Sequence, residues 1–240
     1  MTQQERAART RRALLDAAAE AIDRHGYAAA SLTAVSTAAG VTKGALTYHF
    51  TSKADLADAV RTESRRRTGR VLAPVLRSGG EPLQTAIDAT QAVAGLLGHD
   101  PVIRAGARLA RDATRTGLGT GGIVHWHASW IVPVHDLLSA ARFGGRLHPR
   151  ADPGEVCGQL GSALLGLDAL TPGPGRGAAG DCGPLRHHLT SLWQLLLPGL
   201  VPGPWAAEFI PEGSSGACPA GCATEPQVTF PTPALSDVWA

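Results

Sequence analysis

Between Ser31 and His49 two short helix signals meet at a glycine, and this juxtaposition limits the possible folds more than any other feature of the chain. Ser31 reads as the N-cap of a helix over Leu32 to Ala39, because its hydroxyl can accept a backbone N–H of the first turn. Gly40 ends that helix, since glycine enters the left-handed region without a Cβ clash. Thr42 then caps a second helical body, Lys43 to His49. Two short helices joined at a Gly-containing turn make a helix-turn-helix candidate.

The flanking segments extend the pattern. Leu14, Ala17, Ala18, Ala21 and Ile22 form an apolar helical stripe ahead of the motif, with Gly26 expected to stop the helix. Behind it, Ser52 followed by Asp55 resembles a capping box and opens a long helix to about Leu76, expected to break near Pro74 and to connect two domains. Its apolar stripe is Leu56, Val60, Val71 and Val75. Ser64 and Thr68 interrupt that stripe, either lining a polar pocket or marking a half-exposed stretch, and the second reading is the expected one. Further helical segments run over Pro82 to Leu97, Pro101 to Ala113, Ile123 to Phe143, Pro153 to Leu170 and Pro184 to Leu197. Proline in a first turn removes an N–H that has no helical partner there.

No β alternation competes, so the fold class is all-α. A three-helix helix-turn-helix domain is expected over 1–52, and a larger helical ligand-binding and dimerisation domain over 53–201. TPGPGRGAAGDCGP reads as a flexible loop between the last two helices, and the Pro/Gly-rich tail over 202–240 as disordered.

Charge follows the same division. Residues 1–70 hold 12 Lys/Arg against 7 Asp/Glu, whereas the remainder holds 10 against 13, so a basic head precedes an acidic body. Arg6, Arg9, Arg11 and Arg12 precede the first apolar stripe, where an arm could reach phosphate or the minor groove. Arg65, Arg66, Arg67 and Arg70 lie more than about 15 Å along the connecting helix and read as a solvated face.

Other classes lack their requirements. No apolar run approaches the roughly 20 residues of a membrane span, and the charged N-terminus has no apolar region behind it, so a cytoplasmic protein is expected. Cys157, Cys182, Cys218 and Cys222 are too scattered for a disulfide framework, and Cys218-x-x-x-Cys222 lacks the further ligands of a closed zinc shell, so neither metal nor cofactor is expected. His125 and His127 do not share a helical face. With no HExxH, no Gly-x-Ser-x-Gly and no phosphate-binding glycine loop, the chain does not read as an enzyme.

The segment AASLTAVSTAAGVTKGALTYHFTSKADLADAV, residues 29–60, resembles the DNA-binding domain of the TetR family: Ala-Gly-Val, Thr-Lys-Gly, an aromatic-His-Phe run and Ser-Lys-x-x-Leu stand in order. Together with DPVIRAGARLA, a tryptophan-bearing helix and WQLLLPGLVP, the chain from about Arg6 to Pro202 is similar to the γ-butyrolactone autoregulator receptors of actinomycetes. The resemblance implies a repressor that binds a pseudo-palindromic operator in double-stranded DNA as a homodimer. A small lactone-like inducer would release it, and its targets would lie in secondary metabolism. The alternative within the same class is an efflux or antibiotic sensor that does not bind butyrolactones.

Candidate DNA contacts are Ser31, Thr33, Thr42, Lys43, Gly44, Ala45, Thr47, Tyr48, His49 and Lys53. Gly44 and Ala45 keep one helix face thin, so its backbone can approach a groove wall. Thr42 and Lys43 offer a backbone N–H, a hydroxyl and a cation to phosphate. Thr47 stands where the resembled family usually has an aromatic, and Phe50 reads as core.

For the ligand, Trp126 and Trp130 are four apart and would share a helical face, giving an aromatic wall for a flat lactone-sized molecule. The resemblance implies a pocket tryptophan shortly before Leu137, Leu138 and Ala140, a spacing that favours Trp130. Thr90, Ser162 and Ser64 are the candidate hydrogen-bond partners. Gly158, Gly161 and Gly166 among Leu160, Leu164, Leu165 and Leu167, facing Leu192, Trp193, Leu195 and Leu196, predict a four-helix dimer interface.

Overall fold

The structure is a computed structural model that describes residues 2–116, 126–170 and 183–214. Residues 171–182 of the expected loop over 171–184, His125, Cys182, Cys218 and Cys222 lie outside the described residues, as does the tail beyond Ser214, whereas Gly183 and Pro184 of that loop are helical. Among the described residues the regular structure is helical throughout. In chain order it comprises α1 (Gln3–Ala29), α2 (Leu32–Ala38), α3 (Lys43–His49), α4 (Lys53–Leu76), α5 (Pro82–His99), α6 (Pro101–Thr116), α7 (Ala128–Phe143), α8 (Pro153–Leu170), α9 (Gly183–Leu200) and a 3-10 helix (Gly203–Glu208).

The local signals explain most helix starts. Ser31, Thr42 and Ser52 accept from the N–H groups of Ala34, Ala45 and Asp55, at 3.1, 3.1 and 3.0 Å. The Asp55 carboxylate accepts from the Thr51 N–H at 3.2 Å instead of completing a box with Ser52. Several boundaries differ from expectation, among them the start of α7 at Ala128 rather than Ile123. α1 starts at Gln3, because Thr2 and Glu5 form a reciprocal capping box, so the expected N-terminal arm is helical. α1 also passes beyond Gly26 with a bend: that residue has φ +81°, and a Cβ there would lie 2.9 Å from the Arg108 guanidinium. α4 runs through Pro74 to Leu76.

Two apolar cores form. In the head, Leu14, Ala18 and Ile22 of α1 pack with Val35 of α2, Leu46 of α3 and Leu56 and Val60 of α4. Val102, Ala105 and Leu109 of α6 close this core from the far side, so the head is not self-contained at residue 52. The body core is centred on α5, where Leu83, Ile87, Val93 and Leu97 join a cluster with residues of α4, α7 and α9, and α8 completes it against α7 and α9. The alanines of α1 and α5 let neighbouring helix axes approach closely.

Polar ties fix the head to the body. Arg104 of α6 donates to the Asp23 carboxylate of α1 at 2.8 Å, and Arg108 to the Asp23 carbonyl at 2.7 Å. Arg67 reaches carboxylates of α1, α4 and the α5–α6 corner. The solvated-face expectation therefore holds for Arg65, Arg66 and Arg70, which are exposed, but not for Arg67.

The beginning of the expected disordered tail is ordered. The Phe209 ring is buried in the body core, and the backbone of residues 210–214 lies on a polar stripe of α5. Gln84 exchanges hydrogen bonds with the Ile210 carbonyl and N–H at 3.1 and 2.8 Å, Gln91 donates to the Pro211 carbonyl at 2.7 Å, and Asp88 accepts the Ser214 N–H at 2.8 Å. The spacing of 84, 88 and 91 repeats on one helical face, so α5 captures an extended segment that has no periodicity of its own.

Candidate functional site

α3 divides its residues sharply between core and surface. Leu46 and Phe50, one turn apart, enter the head core, while Thr42, Lys43, Gly44, Thr47 and Tyr48 face outward. Tyr48 is 82% exposed and meets the half-buried His49 ring edge-on, with centroids 5.2 Å apart. Apart from this contact with its neighbour, an aromatic left this open on a short helix takes no part in the head core. A Cβ on Gly44 would meet only the Thr42 hydroxyl, at 3.9 Å, so internal packing does not demand glycine there either.

The hydroxyls of this face are partly committed. Thr42 and Ser31 accept from backbone N–H groups, which leaves each O–H proton available outward. Thr47 donates to the Lys43 carbonyl at 3.0 Å. Thr33 is exposed on α2, and Ala45 is half-buried. Lys53 is held back: its ammonium donates to the Ala28 carbonyl at 2.9 Å and lies 4.7 Å from the Tyr27 ring centre. Arg11 covers the Phe50 ring at 5.0 Å, joining the exposed basic side of α1 to the end of α3.

The second candidate site lies inside the body. Trp126 occupies the turn before α7, and so does not share a helix with Trp130 as expected. Both rings are buried, with centroids 6.1 Å apart and planes tilted by 55°. Three buried tryptophans make different use of their indole N–H groups. Trp126 donates to the Thr68 hydroxyl and Trp193 to the Thr90 hydroxyl, each at 2.9 Å. The Trp130 Nε1 is buried with no hydrogen-bond partner.

The expected ligand-side hydroxyls separate accordingly. Thr90 accepts from Trp193 and donates to the Ile87 carbonyl at 2.8 Å, so it is committed to the α5–α9 contact. Ser162 is exposed on α8 and not part of this interior. Ser64 and Thr68 are fully buried, against the half-exposed expectation, and their hydroxyls bond back to the Arg61 and Ser64 carbonyls, each at 2.9 Å. Ser64 stays near Trp126, because both lie against Gly106, where a Cβ would collide with Ser64 and stand 3.6 Å from the Trp126 ring.

Residues 14–60 match the profile of bacterial regulatory proteins, tetR family. The A-factor receptor protein of Streptomyces griseus is 31% identical over 213 residues, which span 89% of this chain and 71% of that protein. The chain belongs to the tetR family. Among solved structures, a γ-butyrolactone receptor described as ArpA-like superposes with TM-score 0.71 and 28% identity, covering 86% of this chain and 95% of that one. CprB from Streptomyces coelicolor, in complex with its biological operator sequence, superposes with TM-score 0.69 and 30% identity, covering 85% and 94%.

In this tetR-family regulator the matched segment coincides with the head, from Leu14 in α1 to Val60 in α4, both buried in the head core. Outside it, sequence reasoning missed the pairing of Thr68 with Trp126. A hydroxyl on an otherwise apolar helical stripe is the signal that could have found it, since a buried hydroxyl requires a partner. It also missed Arg67, whose place inside an arginine run hides its single inward direction.

Proposed function

We propose that the chain is a dimeric repressor whose α3 reads operator DNA and whose body binds a small γ-butyrolactone-like signal that releases the DNA. The observation that carries the ligand half is the Trp130 indole N–H, buried without a partner beside Trp126, whose own N–H is bonded to Thr68. An unmade buried hydrogen bond costs about 1–3 kcal/mol, and a carbonyl acceptor on an otherwise apolar ligand would recover it. The A-factor receptor and γ-butyrolactone receptor relatives support this ligand class. The operator half rests on the exposed Thr42, Lys43, Gly44, Thr47 and Tyr48 surface, with the CprB–operator complex as its structural parallel.

The dimer face narrows relative to the sequence expectation. Leu160, Leu164 and Trp193 are buried within the chain, and Gly161 packs against Ile131. Gly158 and Gly166 have open space where a Cβ would stand, and Leu195 is 79% exposed on α9, so these positions carry the proposed contact.

The test is operator release by γ-butyrolactones, A-factor among them, from wild-type protein and from Trp130→Phe, which keeps a ring but removes the donor. Wild type should release at low inducer concentration, and the variant should need about tenfold more, the equivalent of one hydrogen bond of about 1.4 kcal/mol. Equal release by both proteins would remove Trp130 from the ligand. No release by any lactone, with other small molecules effective, would reassign the ligand class.

A further inference from the structure

Three carboxylates from three separate elements converge on the guanidinium of Arg67. Its Nη2 lies 2.9 Å from Asp16 of α1, its Nε 2.9 Å from Glu63 of α4, and its Nη1 3.1 Å from both oxygens of Asp100, at the corner between α5 and α6. Arg67, Glu63 and Asp100 are largely shielded from solvent, and Asp16 is half-exposed. Asp100 is itself oriented by α6, because it accepts the Val102 N–H at 2.8 Å. A planar fork of five donors held by three anions is directional in a way that one surface ion pair is not.

The position of this cluster along α1 matters. Asp16 and Asp23 are seven residues apart, which places them on the same face of α1 and separates them by about 10 Å along its axis. Asp23 is held by Arg104 of α6 at 2.8 Å. A single tie would leave α1 free to pivot about it, whereas two ties fix an angle. On α4, the turn that carries Arg67 also carries Thr68, which accepts the Trp126 indole N–H, and Ser64, which abuts Gly106. One turn of α4 therefore touches the tryptophan site on one side and the head's own helix on the other.

We propose that Arg67 is a positioning residue for operator binding: it sets the angle of the reading head on α4 and α6, and so the separation of the two α3 helices in a dimer. This inference rests on the dimeric operator-binding function proposed above. It accounts for an inward-turned arginine beside Arg65, Arg66 and Arg70, which remain exposed. Without the cation, Asp16 and Asp100 would lose the counter-charge they share, Glu63 would keep only Arg66, and the like charges would push the elements apart across the head–body junction.

The experiment uses full-length dimeric protein and an operator selected by wild type from random duplexes, resynthesised with one base pair inserted or deleted between half-sites. Each step moves the second half-site by about 3.4 Å along the axis, so wild type should discriminate sharply among spacings. Arg67→Gln should keep half-site binding and lose about threefold to thirtyfold of that discrimination, the range expected for changes in a coupling network. Asp16→Asn, which removes only the head's arm from the cluster, should lose part of it and serves as the decisive variant if Arg67→Gln does not fold. A lower melting temperature with an unchanged spacing profile would make the cluster merely structural and overturn the proposal. A wild type that selects no duplex would instead refute operator binding itself, and an unspaced single site would refute the dimer.

Discussion

The head and the body of this molecule place their polar and apolar groups in opposite ways. The head buries aliphatic side chains and Phe50 and leaves hydroxyls, a lysine and an 82% exposed tyrosine outside. The body places tryptophan–threonine hydrogen bonds inside, while Leu195 and Phe143 stand 79% and 98% exposed. A surface that reads a polyanion needs donors facing water until the duplex arrives. An interior that takes up a small apolar molecule needs few polar groups, each aimed, and an outside apolar enough to pair with a second copy. The contrast teaches that a variant on the head surface should change binding with little change in folding, and a variant in the body interior the reverse.

The largest effect is expected at the centre of the body. Trp193→Ala removes a fully buried ring and leaves the Thr90 hydroxyl without its donor, so urea melting should show a loss of about 3–5 kcal/mol. A loss below about 1 kcal/mol would show that the body core is looser than the described packing. Next comes the outer face of α9. Leu195→Asp should leave the melting curve of the chain itself nearly unchanged while light scattering reports monomers. Operator affinity should fall by at least about a hundredfold as the gain from linked half-sites disappears. A dimer that persists would move the interface elsewhere.

At the junction between the regions the expected signature is acid sensitivity. Hydrogen bonding from Arg66, opposed by burial and supported by Arg67, holds the Glu63 carboxyl down at about 2, against an ordinary value of 4.5. A depressed folded-state value stabilises the protein fully above the unfolded value. That contribution should be constant above pH 4.5 and be lost as pH falls from there through 2. Glu63→Gln should flatten this part of the stability profile, and an unchanged profile would show that Glu63 is not tied as described. The smallest stability effect belongs to the head surface. Lys43→Ala should alter folding by less than about 0.5 kcal/mol, yet lower the salt dependence of operator binding by about one unit of slope. An unchanged slope in titrations at several salt concentrations would remove Lys43 from the phosphate contacts.

The same division governs how much could be read from the residues. The short helices, their caps at Ser31, Thr42 and Ser52, and the outward set of α3 were legible, because capping and helical periodicity act over three or four residues and need no distant partner. Amide side chains at 84 and 91 reach a segment more than a hundred residues later, so the order of residues 203–214 had no local signal. For the same reason Trp126 and Trp130 were expected to act as one wall, although one donates to α4 and the other has no acceptor.

By itself, the sequence determined an all-helical chain with a basic reading head, its turn and its exposed helix, since those properties follow from the local geometry of the backbone and the charge along it. Only the tertiary structure decided which of four neighbouring arginines turns inward, which threonines receive indole protons, and which indole is left open. Each of those outcomes depends on what faces the side chain from another helix. A buried donor or charge is stable only where such a partner stands, and no single stretch of sequence contains both.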